Sequence, residues 1–238
     1  NSGITTVTVN FSQFGGGAAV AASQASGTWT ATYTILAGSV DGTNRNVSIT
    51  ATDGSASTTT ADGTNATVDN MAPAVTDQQI SISGATGIGG TFKTGDVVTA
   101  TWNNSATGDN NSDQISSVNV DFSQFGGGAA VAATNSSGTW TATFTITAGS
   151  IDAANRNISV TATDNAGNTT TAADGSNASV DNVAPALTDA KISVSGASGI
   201  SGAFIAGDVL TVTWNNTAAG DNNVDVISAV TVDFSQFG

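Results

Sequence analysis

Two short segments of this chain have the residue spacing of a metal-binding loop. The D-x-N-x-D pattern is formed by Asp109, Asn111 and Asp113, and it returns as Asp221, Asn223 and Asp225. Carboxylate and amide oxygens at alternate positions of a tight loop can converge on one calcium ion at about 2.3–2.6 Å. The pattern is not an EF-hand, because Gln114 stands where that loop needs Gly and Val120 where it needs a bidentate Glu. An ordinary Asn/Asp-rich turn is the alternative.

The composition limits the other chemistry that is possible. The chain has 238 residues with 18 acidic and 4 basic side chains, and every acidic residue is Asp. It contains no His and no Cys, which removes imidazole bases, thiol nucleophiles, disulfides and zinc-thiolate sites together. We therefore expect no enzyme activity. The net charge of −14 disfavours nucleic acid as a partner, and no apolar run approaches the ~18 residues of a membrane span, so we expect no membrane insertion.

A long internal repeat organises the sequence. The segment Phe11–Gly15 recurs at Phe122–Gly126 and again at Phe234–Gly238, a period of 111 or 112 residues, which is the size of a whole domain. The only two prolines, Pro73 and Pro185, close the segments Asp-Asn-Met-Ala-Pro and Asp-Asn-Val-Ala-Pro and mark the joints. These joints predict the C-terminal part of one repeat at 1–70, a complete repeat at 71–182 and the N-terminal part of the next at 183–238. Either the sequence is a window of a longer array, or a short subunit polymerises so that the tail of one chain completes the head of its neighbour.

Period-two alternation predicts the strands that must position these residues. From Thr139 to Thr147, apolar residues fall on one face and threonines on the other, as in a half-buried strand. The predicted strands of one repeat, A to G, are Gln79–Ser83, Val98–Trp102, Val118–Phe122, Ala129–Ala133, Thr139–Thr147, Ile158–Ala162 and Thr169–Val180. Seven short strands in about 112 residues predict an all-β chain of tandem seven-stranded immunoglobulin-like β-sandwich domains.

Two segments carry a family resemblance. Thr161–Asn168, with the sequence TATDNAGN, followed by Val180–Pro185, with the sequence VDNVAP, resembles the last strands and linker of bacterial Ig-like tandem repeats in giant surface adhesins and biofilm-associated proteins. The resemblance implies a secreted, cell-anchored Gram-negative array at the cell surface, in which the repeats extend a ligand-binding tip. The first copy, Thr50–Ala56, departs from this pattern by losing the Asn and one residue.

The predicted topology gathers polar residues at the joints. In such a sandwich the B–C and F–G loops lie where the chain enters, so Asp109, Asn111, Asp113 and Asp164 should face the incoming Asp69 and Asn70. The next joint should collect Asp181, Asn182, Asp221, Asn223 and Asp225. These sets resemble the interdomain calcium sites of cadherin-like arrays and predict calcium as the cofactor. Asp41 with Arg45, and Asp152 with Arg156, are predicted instead to form turns with ion pairs at the opposite pole.

The sequence thus predicts structural extender repeats of a bacterial surface adhesin or extracellular filament, stiffened by calcium. The expected partners are neighbouring repeats of the same chain or of identical chains, with a cell-surface or matrix polysaccharide as a further candidate. One alternative is a subunit of a homopolymeric filament or sheath, in which segments near Val230–Gly238 and Ile4–Gly15 exchange between chains. Another is a carbohydrate- or ice-binding module, which would need exposed aromatic side chains or a flat threonine surface.

Overall fold

The computed structural model describes residues 3–238, and the fold of these residues is all-β. Several small sheets, nearly all antiparallel, are joined by loops and short 3-10 turns, and no α-helix occurs in the described range. None of the helical turns between residues 3 and 238 is long and apolar enough to cross a membrane. Two compact units are present: one comprises the described residues up to Thr147 together with Ile151–Asp181, and the other comprises Ala148–Ser150 with Asn182–Gly238.

The strands follow the sequence repeat. Before the first joint lie β1 (Thr6–Asn10), β2 (Val20–Ala21), β3 (Ser23–Ala25), β4 (Thr28–Thr30), β5 (Asp41–Arg45), β6 (Ser48–Thr52), β7 (Ser57–Ala61) and β8 (Ala66–Asp69). The middle repeat contains β9 (Ile80–Ser83), β10 (Phe92–Lys93), β11 (Val97–Asn103), β12 (Ile115–Asp121), β13 (Val131–Ala132), β14 (Thr134–Ser136), β15 (Thr139–Thr145), β16 (Asp152–Arg156), β17 (Ser159–Asp164), β18 (Thr169–Ala173) and β19 (Ala178–Asp181). The last part contains β20 (Ile192–Ser195) and β21 (Thr211–Trp214). The 3-10 turns are Ser12–Phe14, Asp77–Gln79, Ile88–Gly90, Ser123–Phe125, Asp189–Lys191 and Ile200–Gly202.

Two four-stranded sheets build the middle repeat. One has the order β14-β15-β11-β9 and the other β13-β12-β17-β18, all antiparallel. A third, three-stranded sheet, β10-β19-β16, includes a parallel pair between β10 and β19. The longest ladder joins β11 to β15, from Val97 opposite Thr145 to Asn103 opposite Thr139.

One apolar core lies between these sheets. Alternate residues of β11 and β17 are fully buried, among them Val98 and Val160, and they belong to one cluster with Phe122 and Phe125. Each such side chain contributes roughly 1.5–3 kcal/mol through burial. Trp102 and Trp140 are buried in the same cluster and therefore offer no exposed aromatic platform. The arrangement of sheets around a shared core is consistent with a β-sandwich.

The outer faces of the sheets carry hydroxyl groups. Because side chains alternate along a strand, Thr101 and Thr141 point away from the core beside Ser81 in the register β9-β11-β15. Ser81 Oγ and Thr101 Oγ1 lie 2.7 Å apart, and Thr161 Oγ1 and Thr171 Oγ1 on the other sheet lie 2.8 Å apart. These cross-strand hydrogen bonds tie neighbouring strands together on the solvent side.

Three details of the predicted secondary structure, two strands and one turn, were wrong. The predicted strand Ala129–Ala133 is reduced to β13, which pairs with β12, while the next strand, β14, pairs with β15 in the other sheet. The predicted strand Thr169–Val180 is divided into β18 and β19, because buried Asp174 accepts hydrogen bonds from Ser176 N and Oγ and Asn177 adopts a positive φ of 55°. The predicted turn at Asp152 and Arg156 is strand β16, and these two residues form no ion pair with each other in the described structure.

Candidate metal centre

Three carboxylates meet where the first partial repeat joins the middle one. Potential ligand oxygens of Asp41, Asp69 and Asp113 all lie within 4.8 Å of one another. Asp41 opens β5 and Asp69 closes β8, and the antiparallel register places the two residues opposite each other. Asp113 comes from the loop between β11 and β12, on the far side of the Pro73 joint. Asp41 is exposed, whereas Asp69 and Asp113 are half-buried.

The electrostatics of this cluster favour a bound cation or proton. Partial burial and the charges of Asp41, Asp69 and Asp164 raise the pKa of Asp113, and a side-chain hydrogen bond with Asp41 acts in the same direction. Repulsion between carboxylates whose oxygens lie within 4.8 Å of one another opposes ionisation of all three, and a bound divalent cation would offset this repulsion. The cluster is therefore chemically suited to a cation.

Asp164 lies close enough for its charge to raise the pKa of Asp113, but both of its carboxylate oxygens already accept hydrogen bonds. Its Oδ1 accepts hydrogen bonds from the backbone N–H groups of Ala166, Gly167 and Asn168 at 2.9, 2.7 and 2.8 Å. Burial alone would raise the pKa of Asp164, but the hydrogen bonds from the Asn168 side chain and from these N–H groups outweigh it and hold the pKa below its usual value. Asp164 is thus a fixed negative charge in a tight turn.

Asn168 links the two repeats directly. Its Nδ2 donates to Asp164 Oδ2 at 3.0 Å, to Asp69 Oδ1 at 3.2 Å and to the Asp69 backbone oxygen at 3.4 Å. The contact joins residues 99 positions apart in the chain. It orients the Asp69 carboxylate within the cluster.

The structure places Asp109 and Asn111 elsewhere, on the segment that follows Pro73. Asp109 Oδ2 accepts hydrogen bonds from Trp102 Nε1 at 2.6 Å and Thr76 N at 2.9 Å, and Oδ1 accepts one from Thr76 Oγ1 at 2.6 Å. Asn111 Oδ1 accepts from Ala74 N at 2.7 Å, and its Nδ2 donates to Ala74 O at 2.9 Å. Of the D-x-N-x-D loop, only Asp113 joins the carboxylate cluster, while Asp109 and Asn111 fasten the start of their own repeat.

The second D-x-N-x-D loop makes the same contacts within its own unit. Asp221 accepts hydrogen bonds from Trp214 Nε1 at 2.6 Å and from Thr188 N at 3.0 Å, and Asn223 pairs with the backbone of Ala186. Hydrogen bonds from the side chains of Thr188 and Trp214 lower the pKa of Asp221. The repeated geometry indicates that the loop has a fixed structural use.

The remaining predicted ligands have the following positions. Asn70 is buried, with its Oδ1 accepting from Val40 N at 2.8 Å and its Nδ2 donating to Leu36 O at 2.6 Å, so the amide is used within its own repeat. Asp181 ends β19 opposite Asp152 in β16. Asn182 is buried in the second unit, and Asp225 lies there in a segment without regular secondary structure.

The three clustered carboxylates fit calcium by chemistry and by spacing. Calcium prefers oxygen ligands at 2.3–2.6 Å, so two oxygens on opposite sides of one ion lie roughly 5 Å apart. The upper limit of 4.8 Å among the three ligand atoms satisfies that requirement. Six to eight ligands are usual, so water or bidentate carboxylate binding would complete the shell.

Sequence reasoning placed Asp41 at the wrong pole of its repeat. The prediction treated the Asp41–Arg45 segment as a turn far from the joint, whereas it forms strand β5 and pairs with the strand that leads into the joint. One signal was available: the segment DGTNR recurs as DAANR with its Asp at the same position. Arg45 and Arg156, expected to neutralise the Asp residues in these segments, each bury an Nε without a hydrogen-bond partner.

Comparison with known proteins adds no further assignment. No protein-family model matches this sequence, and no curated protein is significantly similar to it.

Proposed function

We propose that this chain is part of the extender region of a secreted bacterial surface adhesin or extracellular filament, built from tandem immunoglobulin-like repeats. Its work is mechanical: the repeats hold a binding tip, or successive subunits, at a distance from the cell surface. The all-β fold, the 111- to 112-residue sequence period and the absence of His and Cys support this function over catalysis. The strand order β14-β15-β11-β9 against β13-β12-β17-β18 supports the immunoglobulin-like interpretation, because the predicted strands A, B and E share one sheet and C, F and G share the other.

The observation that carries the proposal is the origin of the clustered carboxylates. Asp41 and Asp69 belong to one repeat and Asp113 to the next, so an ion held by all three would tie the two repeats together. A calcium ion there would neutralise two of three negative charges and restrict bending at the joint. Without the ion, mutual repulsion of the carboxylates favours separation of the repeats.

Small-angle scattering with calcium and then with chelator tests the proposal. We expect calcium to give a longer, less flexible particle, and Asp113→Asn to abolish this response. Asp62→Asn is the matched control, because Asp62 is an exposed carboxylate outside the cluster and the substitution makes the same change in charge. Identical scattering curves in calcium and chelator for the unsubstituted protein would refute the calcium joint, and an equal loss of response in both variants would show a nonspecific charge effect.

A further inference from the structure

Force along the chain reaches the middle repeat through its first segment and leaves it through its last strand. The chain enters this repeat beside Pro73 and leaves it at Asp181, the last residue of β19. In an extender, tension therefore acts between these two segments. The contacts that join the two segments to each other decide how easily the repeat is pulled open.

A hydrogen bond joins the two segments directly. Asp77, in the 3-10 turn before β9, accepts a hydrogen bond at its Oδ1 from the backbone N–H of Gly175 at 2.7 Å. Gly175 lies between β18 and β19, and the two residues are 98 positions apart. The acceptor is a carboxylate, and hydrogen bonds to charged groups are stronger than those between neutral groups.

The glycine at position 175 is required by this contact. A Cβ atom at Gly175 would lie 2.8 Å from Asp77 Oδ2 and 3.3 Å from Asp77 Oδ1. Gly175 does not have a positive φ, so the carboxylate, and not the backbone conformation, excludes a side chain there. Both residues recur in the sequence repeat, Asp77 as Asp189 and Gly175 as Gly63. Any larger residue at 175 would push the Asp77 carboxylate away from the N–H group.

The entering segment is also fastened just ahead of Asp77. Asn111 binds the backbone N–H and oxygen of Ala74, and Asp109 accepts hydrogen bonds from the backbone and hydroxyl of Thr76. These contacts hold the entering segment on the loop between β11 and β12. Asp77 is thus kept in register with Gly175 when the chain is pulled from the joint.

The parallel pair of β10 and β19 has a geometry that resists the same force. Phe92 lies opposite Val180 and Lys93 opposite Asp181, and both Phe92 and Val180 are buried in the core. Force from the entrance pulls β10 from its N-terminal end, and force from the exit pulls β19 from its C-terminal end. In a parallel pair these two ends lie at opposite ends of the ladder, so the strands are pulled past each other. The hydrogen bonds between them are then stretched together and do not open one after another.

On the basis of the mechanical function proposed above, we propose that the Asp77–Gly175 hydrogen bond and the β10–β19 pair form a clamp that resists tension across the repeat. Tension between the joints must break this clamp before the two four-stranded sheets can separate. Forced unfolding is governed by the rate of unfolding, so the clamp affects that rate under force more than it affects equilibrium stability. None of its residues belongs to the carboxylate cluster, so the clamp acts without an ion.

Force spectroscopy of the 238-residue chain in chelator tests the clamp. The chain has no Cys, so Thr67→Cys and Ala184→Cys, at exposed positions on either side of the middle repeat, attach handles at the same two points in every variant. We expect the middle repeat to unfold in one step that releases up to roughly 400 Å of chain, because an extended residue spans at most ~3.6 Å. A separate, shorter step at lower force, in which the segment before β10 detaches, would overturn the clamp.

Two substitutions remove the hydrogen bond from opposite sides. Asp77→Ala removes the acceptor, and Gly175→Ala displaces it. At a fixed force, each variant should unfold about tenfold faster than the unsubstituted protein, which is the effect of losing one hydrogen bond to a charged group. The double variant should unfold no faster than either single variant, because all three lack the same bond. Accelerations that multiply in the double variant, or no acceleration in either single variant, would overturn the clamp.

Matched controls separate the clamp from a general loss of stability. Asp121 Oδ1 accepts a hydrogen bond from Ser123 N at the same distance of 2.7 Å, but the two residues are only two positions apart. Asp121→Ala is therefore the control for Asp77→Ala. Gly63→Ala is the control for Gly175→Ala, because a Cβ atom at Gly63 meets nothing within 4 Å.

Both controls should unfold under force at the rate of the unsubstituted protein. Denaturant unfolding without force verifies that each variant folds, and Asp77→Ala and Asp121→Ala should lose similar equilibrium stability. Equal acceleration of these two variants under force would overturn the clamp. Because the measurement is made in chelator, its failure would leave the calcium joint standing, and a calcium-independent scattering curve would leave the clamp standing.

Discussion

Asp113→Asn should change stability in opposite directions with and without calcium. Asp113 is half-buried within reach of Asp41 and Asp69, and its pKa is raised by burial and by neighbouring carboxylates. In chelator, removing its charge relieves repulsion and should stabilise the protein. In calcium, the same substitution removes a ligand and should cancel the stabilisation that the ion gives.

The magnitudes follow from the separation of the charges. Two unit charges 4.8 Å apart repel by about 0.9 kcal/mol in water and about 3.5 kcal/mol at an effective dielectric constant near 20. Because Asp41 is exposed, solvent screening brings the gain from Asp113→Asn in chelator to roughly 1–2 kcal/mol. Calcium at a hundred times its dissociation constant would stabilise the unsubstituted protein by about 2.7 kcal/mol, most of which the variant would lose.

Calorimetric unfolding of the unsubstituted protein, Asp113→Asn and Asp62→Asn, each in chelator and in calcium, measures both effects. The Asp62 control should show the same calcium response as the unsubstituted protein. If Asp113→Asn destabilises the protein in chelator as well, the hydrogen bonds of the Asp113 carboxylate outweigh its repulsion by Asp41 and Asp69. The three carboxylates would then be stable together without an ion, and the reasoning from charge repulsion would be refuted.

Three further predictions test separate parts of the structure. In chelator, the stability of the fold should rise as the pH falls toward about 4, because the raised pKa of Asp113 makes the folded state take up a proton before the unfolded state does. Below that pH, stability should drop as Asp164, whose pKa is lowered by its hydrogen bonds, becomes protonated. Thermal melts at successive pH values measure both effects, and a steady fall in stability from neutral pH would contradict the prediction. Asp109→Ala leaves the buried Trp102 Nε1 unpaired and should cost roughly 2–4 kcal/mol in denaturant unfolding, against no change for Asp62→Ala. Phe122→Ala should cost about 3–5 kcal/mol, whereas Phe234→Ala at the equivalent exposed position should cost under about 1 kcal/mol of unfolding free energy; equal costs would refute the difference in burial.

Much of the fold could be predicted because the period-two alternation of apolar and polar residues along a strand indicates which side chains are buried. The alternating apolar residues that were predicted to face inward on β11, β12, β15 and β17 belong to the core of the middle repeat or pack against it, as the period-two pattern requires. Strand partners are harder to predict, since they depend on long-range pairing that no local pattern encodes. The predicted strand at Thr169–Val180 was wrong for this reason: one stretch of suitable residues serves two different sheets.

The residues of the candidate site were only partly predictable for the same reason, because they are brought together by long-range contacts. The spacing of Asp109, Asn111 and Asp113 marked a loop with specific contacts, but only the geometry distinguishes the two residues that hold Ala74 and Thr76 from the one that faces the cluster. Asp41 was missed because its position depends on the pairing of β5 with β8, across residues 28 positions apart. A side chain's place in a site formed by two repeats is set by tertiary structure.

The hydroxyl groups on the outer faces have a consequence for the conditions that the protein tolerates. Only 9% of the residues are charged, and the pI is about 4.1, so near that pH charge repulsion no longer keeps copies apart. Ser and Thr hydroxyls do not titrate near that pH, and their hydrogen bonds to water are not screened by salt as charges are. The rows formed by Ser81, Thr101 and Thr141 should therefore stay hydrated at low pH or high salt concentration. A protein whose surface is hydrated mainly through carboxylates would lose solubility under those conditions.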